Sequence, residues 1–290
     1  MRAQPLSQPS GNETTLIFIH IPKAAGTTLR NIIERQFPRD AIWSLYPPRY
    51  DDLPKCIEEF QALPLARRAQ IRYVQGHIQF GIHEALPGPC TYFTMLRKPA
   101  DWLISDYYYV LRHPEHWRYS KVQGMSLDDY ARWLADDHET NWQTRCISGD
   151  IGPTSPSSPL PADALDRATQ NLTRHFVGFG VVERFDETLL LLRRRFAWKN
   201  VLYVKQNVAP NRISTDDLPR RTLALIEQCF DADWALYTFA AQTLDERIRA
   251  EGDSFRRELR RFQAVNAAYS ALWTTYQGAR RRVARALRRS

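Results

Sequence analysis

The chain has few cysteines and no long apolar run. Its 290 residues include only four cysteines, which lie far apart and form no CxxC pair. This spacing excludes a disulfide-stapled scaffold and the common zinc sites, and it predicts reduced thiols. No segment approaches the roughly 18 apolar residues of a membrane-spanning helix, and the first residues lack the apolar core of a signal peptide. We therefore expect a soluble, cytoplasmic protein.

The body of the chain also lacks a surplus of positive charge. The formal net charge is +8, but six arginines fall within the last eleven residues, from Arg280 to Arg289, and without them it is +2. A nearly neutral body argues against a nucleic-acid groove, so nucleic acid is not an expected partner. The tail itself has the composition of a basic amphipathic helix that contacts anionic lipid at the inner membrane surface. A solvated helix end is the alternative.

Short apolar runs alternate with helical patterns along most of the chain. Strands are predicted at residues 16–20, 72–75, 90–96 and 201–205 and in HFVGFGVVERF, with helices at 26–36, from 99 to about 111 and in DETLLLLRRRF. The alternation predicts the α/β class: a central parallel sheet flanked by helices. Its strand-to-helix loops then share one edge, where ligands bind.

Composition divides the chain into three parts. Residues 1–13 are predicted to be a flexible N-terminus, residues 14–250 a single domain, and residues 251–290 a basic helical extension. Within the domain, residues 149–163 are rich in proline and serine. This composition predicts an exposed, mobile loop.

The stretch IPKAAGTTL follows the first predicted strand and opens a helix. A helix N-terminus attracts anions through its unpaired N–H groups and its dipole. Gly26 permits close approach of the backbone, Thr27 and Thr28 offer hydroxyls, and Lys23 adds a charge. The motifs G-x-x-x-x-G-K-[ST] and G-x-G-x-x-G are absent, which disfavours an ordinary NTPase or dinucleotide enzyme. A tight turn with a helix cap is the alternative.

A second candidate anion site follows the third predicted strand. Arg97 ends this strand and Ser105 lies eight residues later on a helix. A guanidinium and a hydroxyl can hold a phosphate in a fixed geometry. Two such sites on one sheet edge predict a ligand phosphorylated at two places. A strand-end salt bridge for Arg97 and a solvated helix position for Ser105 are the alternatives.

The two segments PKAAGTTL and LRKPADWLISDYYYVLR resemble motifs of the sulfotransferase family that includes heparan sulfate 2-O- and 6-O-sulfotransferases and bacterial relatives. NWQTRCISG, VGFGVVERFDETLLLL and KQNVAPNR extend the similarity over roughly residues 14–248. The resemblance implies a single P-loop-like domain. It also implies transfer of a sulfuryl group from 3′-phosphoadenosine 5′-phosphosulfate (PAPS) to an acceptor hydroxyl on a glycan or glycoconjugate, without a metal.

The same resemblance implies which residues bind PAPS. The first loop would hold the 5′-phosphosulfate through Lys23, Ala24, Gly26, Thr27 and Thr28. The second motif would hold the 3′-phosphate through Arg97 and Ser105. Three positions depart from the family pattern. Ala24 replaces a hydroxyl or thiol residue and keeps only its backbone N–H, Lys98 replaces an acidic residue, and Trp102 replaces an arginine.

His77 is the candidate catalytic base. It follows Gly76 at the end of the second predicted strand, and a histidine can accept a hydroxyl proton near neutral pH. In the resembling family, a Gly-His at this point carries the base, and Lys23 would neutralise the leaving 3′,5′-ADP. His83 is the nearest competitor, and a structural histidine is the alternative. His20 is expected at the end of the first strand, where it orients the loop.

The residues indicate the identity of the acceptor less clearly than that of the donor. Aromatic faces stack on sugars, and arginine pairs with acidic groups. The candidate acceptor contacts are therefore Tyr107, Tyr108, Tyr109, Trp142 and Arg145. Packing in the core is the alternative for these residues. Two other functions also stay open. One is a Mg²⁺-dependent phosphoryl transferase with an atypical phosphate loop, and the other is a non-catalytic protein that docks through its basic tail.

Overall fold

Five parallel strands form one sheet in the computed structural model, which describes residues 14–47, 52–150, 158–205 and 213–287, with side chains through residue 277 and that of Arg280. In the sheet, the strands stand in the order β2-β3-β1-β4-β5, and each neighbouring pair is parallel. In chain order they are β1 (Thr15–Ile19), β2 (Ile42–Leu45), β3 (Tyr73–Gly76), β4 (Cys90–Leu96) and β5 (Phe176–Val181). The predicted α/β fold class is confirmed.

Helices flank the sheet. In the described ranges they are α1 (Gly26–Ile33), α2 (Leu53–Gln61), α3 (Leu65–Arg68), α4 (Pro99–Arg112), α5 (Tyr119–Val122), α6 (Leu127–Asp136), α7 (Trp142–Ser148), α8 (Ala164–Arg174), α9 (Phe185–Phe196), α10 (Arg220–Cys229) and α11 (Asp231–Leu287). None of them combines the length and the apolar content that crossing a bilayer requires.

The central strands are apolar because helices cover them. All five residues of β1 are buried, and so are five of the seven residues of β4. Phe18 of β1 stacks on Phe93 of β4 with ring centroids 4.6 Å apart. A strand with no solvent-facing side reads as a continuous apolar run, which is why TLIFI and CTYFTML were recognisable in the sequence.

One predicted strand is wrong and one strand was missed. Residues 201–205 do not join the sheet. Their backbone polar groups bond to side chains instead, since Tyr203 N–H donates to Asn266 Oδ1 (2.8 Å) and Leu202 C=O accepts from Arg35 (2.7 Å). The missed strand is β2, whose four residues pair along only one side, with β3.

The chain is helical from Asp231 to Leu287. Gly252 interrupts this helix with backbone angles φ 69° and ψ −161°, a conformation that suits glycine. Beyond it, Phe255 and Phe262 are buried in the core. Residues 1–13, residues 151–157 of the proline- and serine-rich loop, and the segment KQNVAPNR after its lysine lie outside the described residues.

Gly76 is required by the sheet. An ideal Cβ at this position would lie 1.9 Å from the carbonyl oxygen of Leu45 on the neighbouring strand, whereas a Cβ at Gly88 would meet nothing within 4 Å. We expect Gly76→Ala to lower the free energy of unfolding by about 1–3 kcal/mol through overpacking. The matched control Gly88→Ala should be neutral or slightly stabilising. Urea unfolding of both variants measures this; equal midpoints would show that the sheet accommodates the methyl group.

Candidate active site

The loop between β1 and α1 has an unusual backbone. Lys23 and Ala25 have φ angles of 64° and 55°, a left-handed conformation that is uncommon for residues other than glycine. Strained residues of this kind concentrate at functional sites. The loop delivers the chain to the start of α1, where the helix dipole favours a negative charge.

A cavity of about 430 Å³ lies over the start of α1. Six of the eight predicted site residues line it together: Lys23, Gly26, Thr27, Thr28, Arg97 and Ser105. The opposite wall comes from the turn after β5 and from the C-terminal part of the chain, through residues 182–187, Tyr203, Lys205 and Gln263. The sheet therefore brings the two predicted anion sites to one cavity, whose size is typical of ligand sites.

Arg97 joins the two sites. Its Nη1 donates a hydrogen bond to the carbonyl oxygen of Lys23 at 2.7 Å. The backbone of Arg97 is held by Gln143, which accepts from the Arg97 N–H and donates to the Arg97 C=O, each at 2.8 Å. The guanidinium thus braces the strained loop while it lines the cavity.

Gln143 is fixed in turn by a buried carboxylate. Asp233 of α11 accepts from the N–H of Gln143 (3.2 Å) and from the N–H and hydroxyl of Thr144 (both 2.7 Å). Burial raises the pKa of Asp233 to about 6. These supporting residues were not predicted. Their signal in the sequence was the similarity of NWQTRCISG, because the residue that holds Arg97 lies in it.

The departures from the expected motif pattern have structural partners. Trp102 donates its Nε1–H to the carbonyl oxygen of Pro22 at 2.9 Å and thereby holds the loop from α4. Lys98 donates its backbone N–H to Glu183 at 3.1 Å. Ala24 is buried in the core, and its N–H donates to the carbonyl oxygen of Ile21 at 3.3 Å. Ala24 is not among the residues that line the cavity, so its role in cofactor binding stays a prediction.

Gly26 makes room for His20. A Cβ at Gly26 would lie 1.9 Å from Cδ2 and 2.0 Å from Nε2 of the His20 ring. His20 follows β1, and its ring stacks on Phe18 with centroids 5.4 Å apart. The close approach predicted at this glycine is therefore made by a side chain of the protein. His20 thus follows the first strand directly, close to where it was expected, and its role in orienting the loop stays a prediction.

Lys23 is a partly desolvated cation. Its Nζ lies 3.6 Å from the centroid of the Tyr109 ring, a cation–π contact. Burial lowers the pKa of Lys23 to about 8, with the charges of Arg112 and Arg97 acting in the same direction and Asp106 opposing them. An anion bound in the cavity would stabilise the charged form.

His77 lies beside the cavity and not in its wall. Its ring meets His20 edge to face with centroids 4.8 Å apart, and it meets Tyr46 in the same way at 5.0 Å. Burial lowers the pKa of His77 to about 4, helped by the positive charges of Arg30 and Lys23. His77 is therefore neutral at pH 7, the state that a proton acceptor requires.

His20 is hydrogen-bonded to Tyr46. Its Nδ1 lies 2.9 Å from the Tyr46 hydroxyl, and the side chain of Arg30 donates to the same hydroxyl. Burial keeps the pKa of His20 well below its usual value. His20 is therefore a neutral imidazole whose ring lies over Gly26, at the start of α1.

The carboxylates on the opposite wall are held by the fold. Arg184 forms a two-point ion pair with Glu187 at 2.6 and 2.9 Å and also contacts Asp245. Asp186 accepts from the Tyr203 hydroxyl at 2.6 Å. This wall was not assigned from the sequence, and the similarity of VGFGVVERFDETLLLL was its signal. The cavity thus has a cationic end at the loop and a mixed, internally paired end opposite.

Two candidate glycan contacts are core residues. Trp142 and Arg145 are buried, and Arg145 donates to the carbonyl oxygens of Thr140, His138 and Ser158. His83, the competitor for the role of base, bonds to Tyr92 at 2.6 Å. Across the described parts of the chain, no group of three or more His, Cys, Asp or Glu side chains is arranged to hold a metal ion.

Comparison with known proteins agrees with this arrangement. A family model described as Galactose-3-O-sulfotransferase matches residues 2–285. Galactose-3-O-sulfotransferase 3 from Bos taurus is 26% identical over 267 residues, which cover 85% of this chain and 60% of the bovine protein. Its Homo sapiens counterpart is 27% identical over 221 residues, 69% of this chain and 49% of the human protein. The chain thus spans about half to three fifths of the length of these relatives.

A similar solved structure is a sulfotransferase from Alicyclobacillus acidocaldarius. It is 13% identical, with a TM-score of 0.41, and the match covers 78% of this chain and 94% of the other.

The lowered pKa of Lys23 predicts how ligand affinity depends on pH. Only protonated Lys23 attracts an anion, so the affinity for 3′,5′-ADP should fall as the pH rises above about 8, by up to about tenfold per pH unit. Lys23→Arg should remove this dependence between pH 7 and 9, because arginine stays charged. Titration calorimetry across this range tests both proteins. The same fall in the arginine variant would exclude Lys23 as its source.

Proposed function

The chain belongs to the galactose-3-O-sulfotransferase family, and we propose that it transfers a sulfuryl group from PAPS to a hydroxyl of a carbohydrate acceptor. The observation that supports this proposal best is the single cavity that contains both candidate anion sites. Lys23 and the start of α1 form one site, and Arg97 with Ser105 forms the other. A ligand with phosphate groups at two places, such as PAPS, fits this pairing.

The residues of the site suit binding of this donor. Lys23 with the hydroxyls of Thr27 and Thr28 would hold the 5′ end, and Arg97 with Ser105 the 3′-phosphate. Arginine binds phosphate with directed hydrogen bonds, and its backbone is fixed here by Gln143. The donor supplies the sulfuryl group and leaves as 3′,5′-ADP.

Transfer to an alcohol needs a proton acceptor and stabilisation of the departing phosphate oxygen. We assign the first task to His77, which burial and nearby cations keep neutral at pH 7. Lys23 would serve the second task, because it lines the cavity next to the start of α1. Preorganised donors in a partly buried site are worth more than the same groups in water.

The acceptor that the family suggests is a galactose unit of a glycan or glycoconjugate. The names of the bovine and human relatives specify the 3-hydroxyl of galactose for those proteins, and we propose the same acceptor here. The motif resemblance implied only a glycan or glycoconjugate. We prefer galactose because the family match extends over residues 2–285.

Ligand preference distinguishes this function from the two alternatives. A ligand that binds the native state raises the melting temperature, so 3′,5′-ADP should raise it more than ADP or ATP with Mg²⁺. Arg97→Ala should abolish most of the advantage of 3′,5′-ADP, because it removes the proposed 3′-phosphate contact. A thermal-shift series with the three nucleotides measures this. A larger shift with MgATP would favour the phosphoryl transferase. The absence of a shift with all three nucleotides would favour the non-catalytic protein.

The role of His77 is separable from cofactor binding. We expect His77→Ala to lower kcat by about 10²- to 10⁴-fold, the usual contribution of general base catalysis, with little change in affinity for 3′,5′-ADP. His83→Ala is the control and should keep most of the activity. The assay uses PAPS and a galactose-terminated oligosaccharide. Near-normal turnover of the His77→Ala variant would show that His77 is not the catalytic base.

A further inference from the structure

The last described part of α11 carries an exposed apolar face. Five side chains form this apolar stripe: Val265, Tyr269, Leu272, Trp273 and Tyr276. Four of them are exposed, with Leu272 73% and Val265 55% accessible, and Tyr269 is half-buried. The spacing of four, three, one and three residues places them on one side of a helix, within about 100°. The rings of Tyr269, Trp273 and Tyr276 lie against one another, with centroids 6.3 and 5.9 Å apart.

The apolar stripe begins where the core ends. Phe262 is the last apolar residue of α11 that is buried in the core, among the residues that the structure describes. Immediately after it, Gln263 lines the cavity and Asn266 holds the backbone of Tyr203. From Gln263 to Trp273 the helix rises about 15 Å. The helix is therefore anchored beside the cavity and then presents an apolar face to solvent.

Charge next to the apolar stripe has a single sign. From residue 259 to residue 290 the sequence contains eight arginines and no acidic residue, which equals the entire formal net charge of +8. The formal net charge of the remaining 258 residues is therefore zero. A positive region of this kind is complementary to an anionic surface.

We propose that the apolar stripe docks on a bilayer of anionic phospholipids, with its side chains in the acyl boundary, and that the arginine-rich sequence beside it is attracted to the headgroups. A helix with aromatic and leucine side chains on one face and a strongly basic sequence has the composition of helices that lie in the membrane interface. Tyrosine and tryptophan favour this layer, and clustered basic residues favour anionic lipid. The proposal is independent of the proposed enzymatic function.

A second copy of the chain is the main rival occupant. The three-four spacing of Phe262, Val265, Tyr269, Leu272 and Tyr276 also fits a coiled coil. A parallel pair would bring two arginine clusters together without a compensating acid. In an antiparallel pair, the arginines would meet the region around Phe255 and Phe262, whose apolar side is already covered by the core. An anionic bilayer would cover the apolar stripe with its acyl chains and attract the arginines with its headgroups.

Vesicle flotation of the full chain tests the proposal. Wild-type protein should bind vesicles that contain phosphatidylglycerol about tenfold more tightly than vesicles of phosphatidylcholine alone, and added salt should reduce the difference. Leu272→Glu places a carboxylate in the apolar stripe and should weaken binding by about tenfold or more. Thr274→Glu adds the same charge on the opposite side of the same helix and should weaken it by less than about twofold.

Three results would overturn the proposal. Equal losses in the Leu272 and Thr274 variants would show that the apolar stripe does not insert. Equal binding to neutral and anionic vesicles would remove the role of the arginines. Lipid-free self-association that disappears in Leu272→Glu but persists in Thr274→Glu would assign the apolar stripe to a second copy. A melting temperature close to that of the wild type in both variants would show that the body remains folded.

Discussion

The hydrogen bond from Arg97 to the carbonyl oxygen of Lys23 connects the two halves of the candidate site. These residues are 74 positions apart in the chain and belong to different strand-to-helix loops. Trp102 adds a second bond from the same segment, to the neighbouring carbonyl of Pro22. Both donors come from the second motif and both acceptors lie in the first loop. The left-handed conformation of Lys23 is thus supported by the segment that would bind the other end of the ligand.

This cross-link depends in turn on a long helix. Asp233, near the start of α11, fixes Gln143 and Thr144, and Gln143 holds the backbone of Arg97. Thirty residues later, beyond the break at Gly252, α11 contributes Gln263 to the cavity wall. The proposed membrane-docking segment is the continuation of this helix.

Burial controls the charge states around the loop. It lowers the pKa of Lys23 to about 8 and that of His77 to about 4, and it keeps His20 neutral. Without a bound anion, the site thus holds a cation at some desolvation cost and two uncharged imidazoles. A negatively charged ligand offsets the cost for the lysine. The histidines remain uncharged because they are buried, and nearby cations act in the same direction.

The sequence alone was sufficient for the sheet class, four of the five strands, the loop before α1 and the pairing of Lys23 with Arg97 and Ser105. Buried parallel strands and helix starts leave local patterns, because their apolar runs and punctuating residues are contiguous. Only the tertiary structure showed that His20 fills the space at Gly26, that Gln143 and Asp233 support Arg97, and that His77 lies behind His20. Those contacts join residues far apart in the chain. The same reason explains the error at residues 201–205, because an apolar run does not show whether its backbone will meet a strand or the side chains of a distant helix.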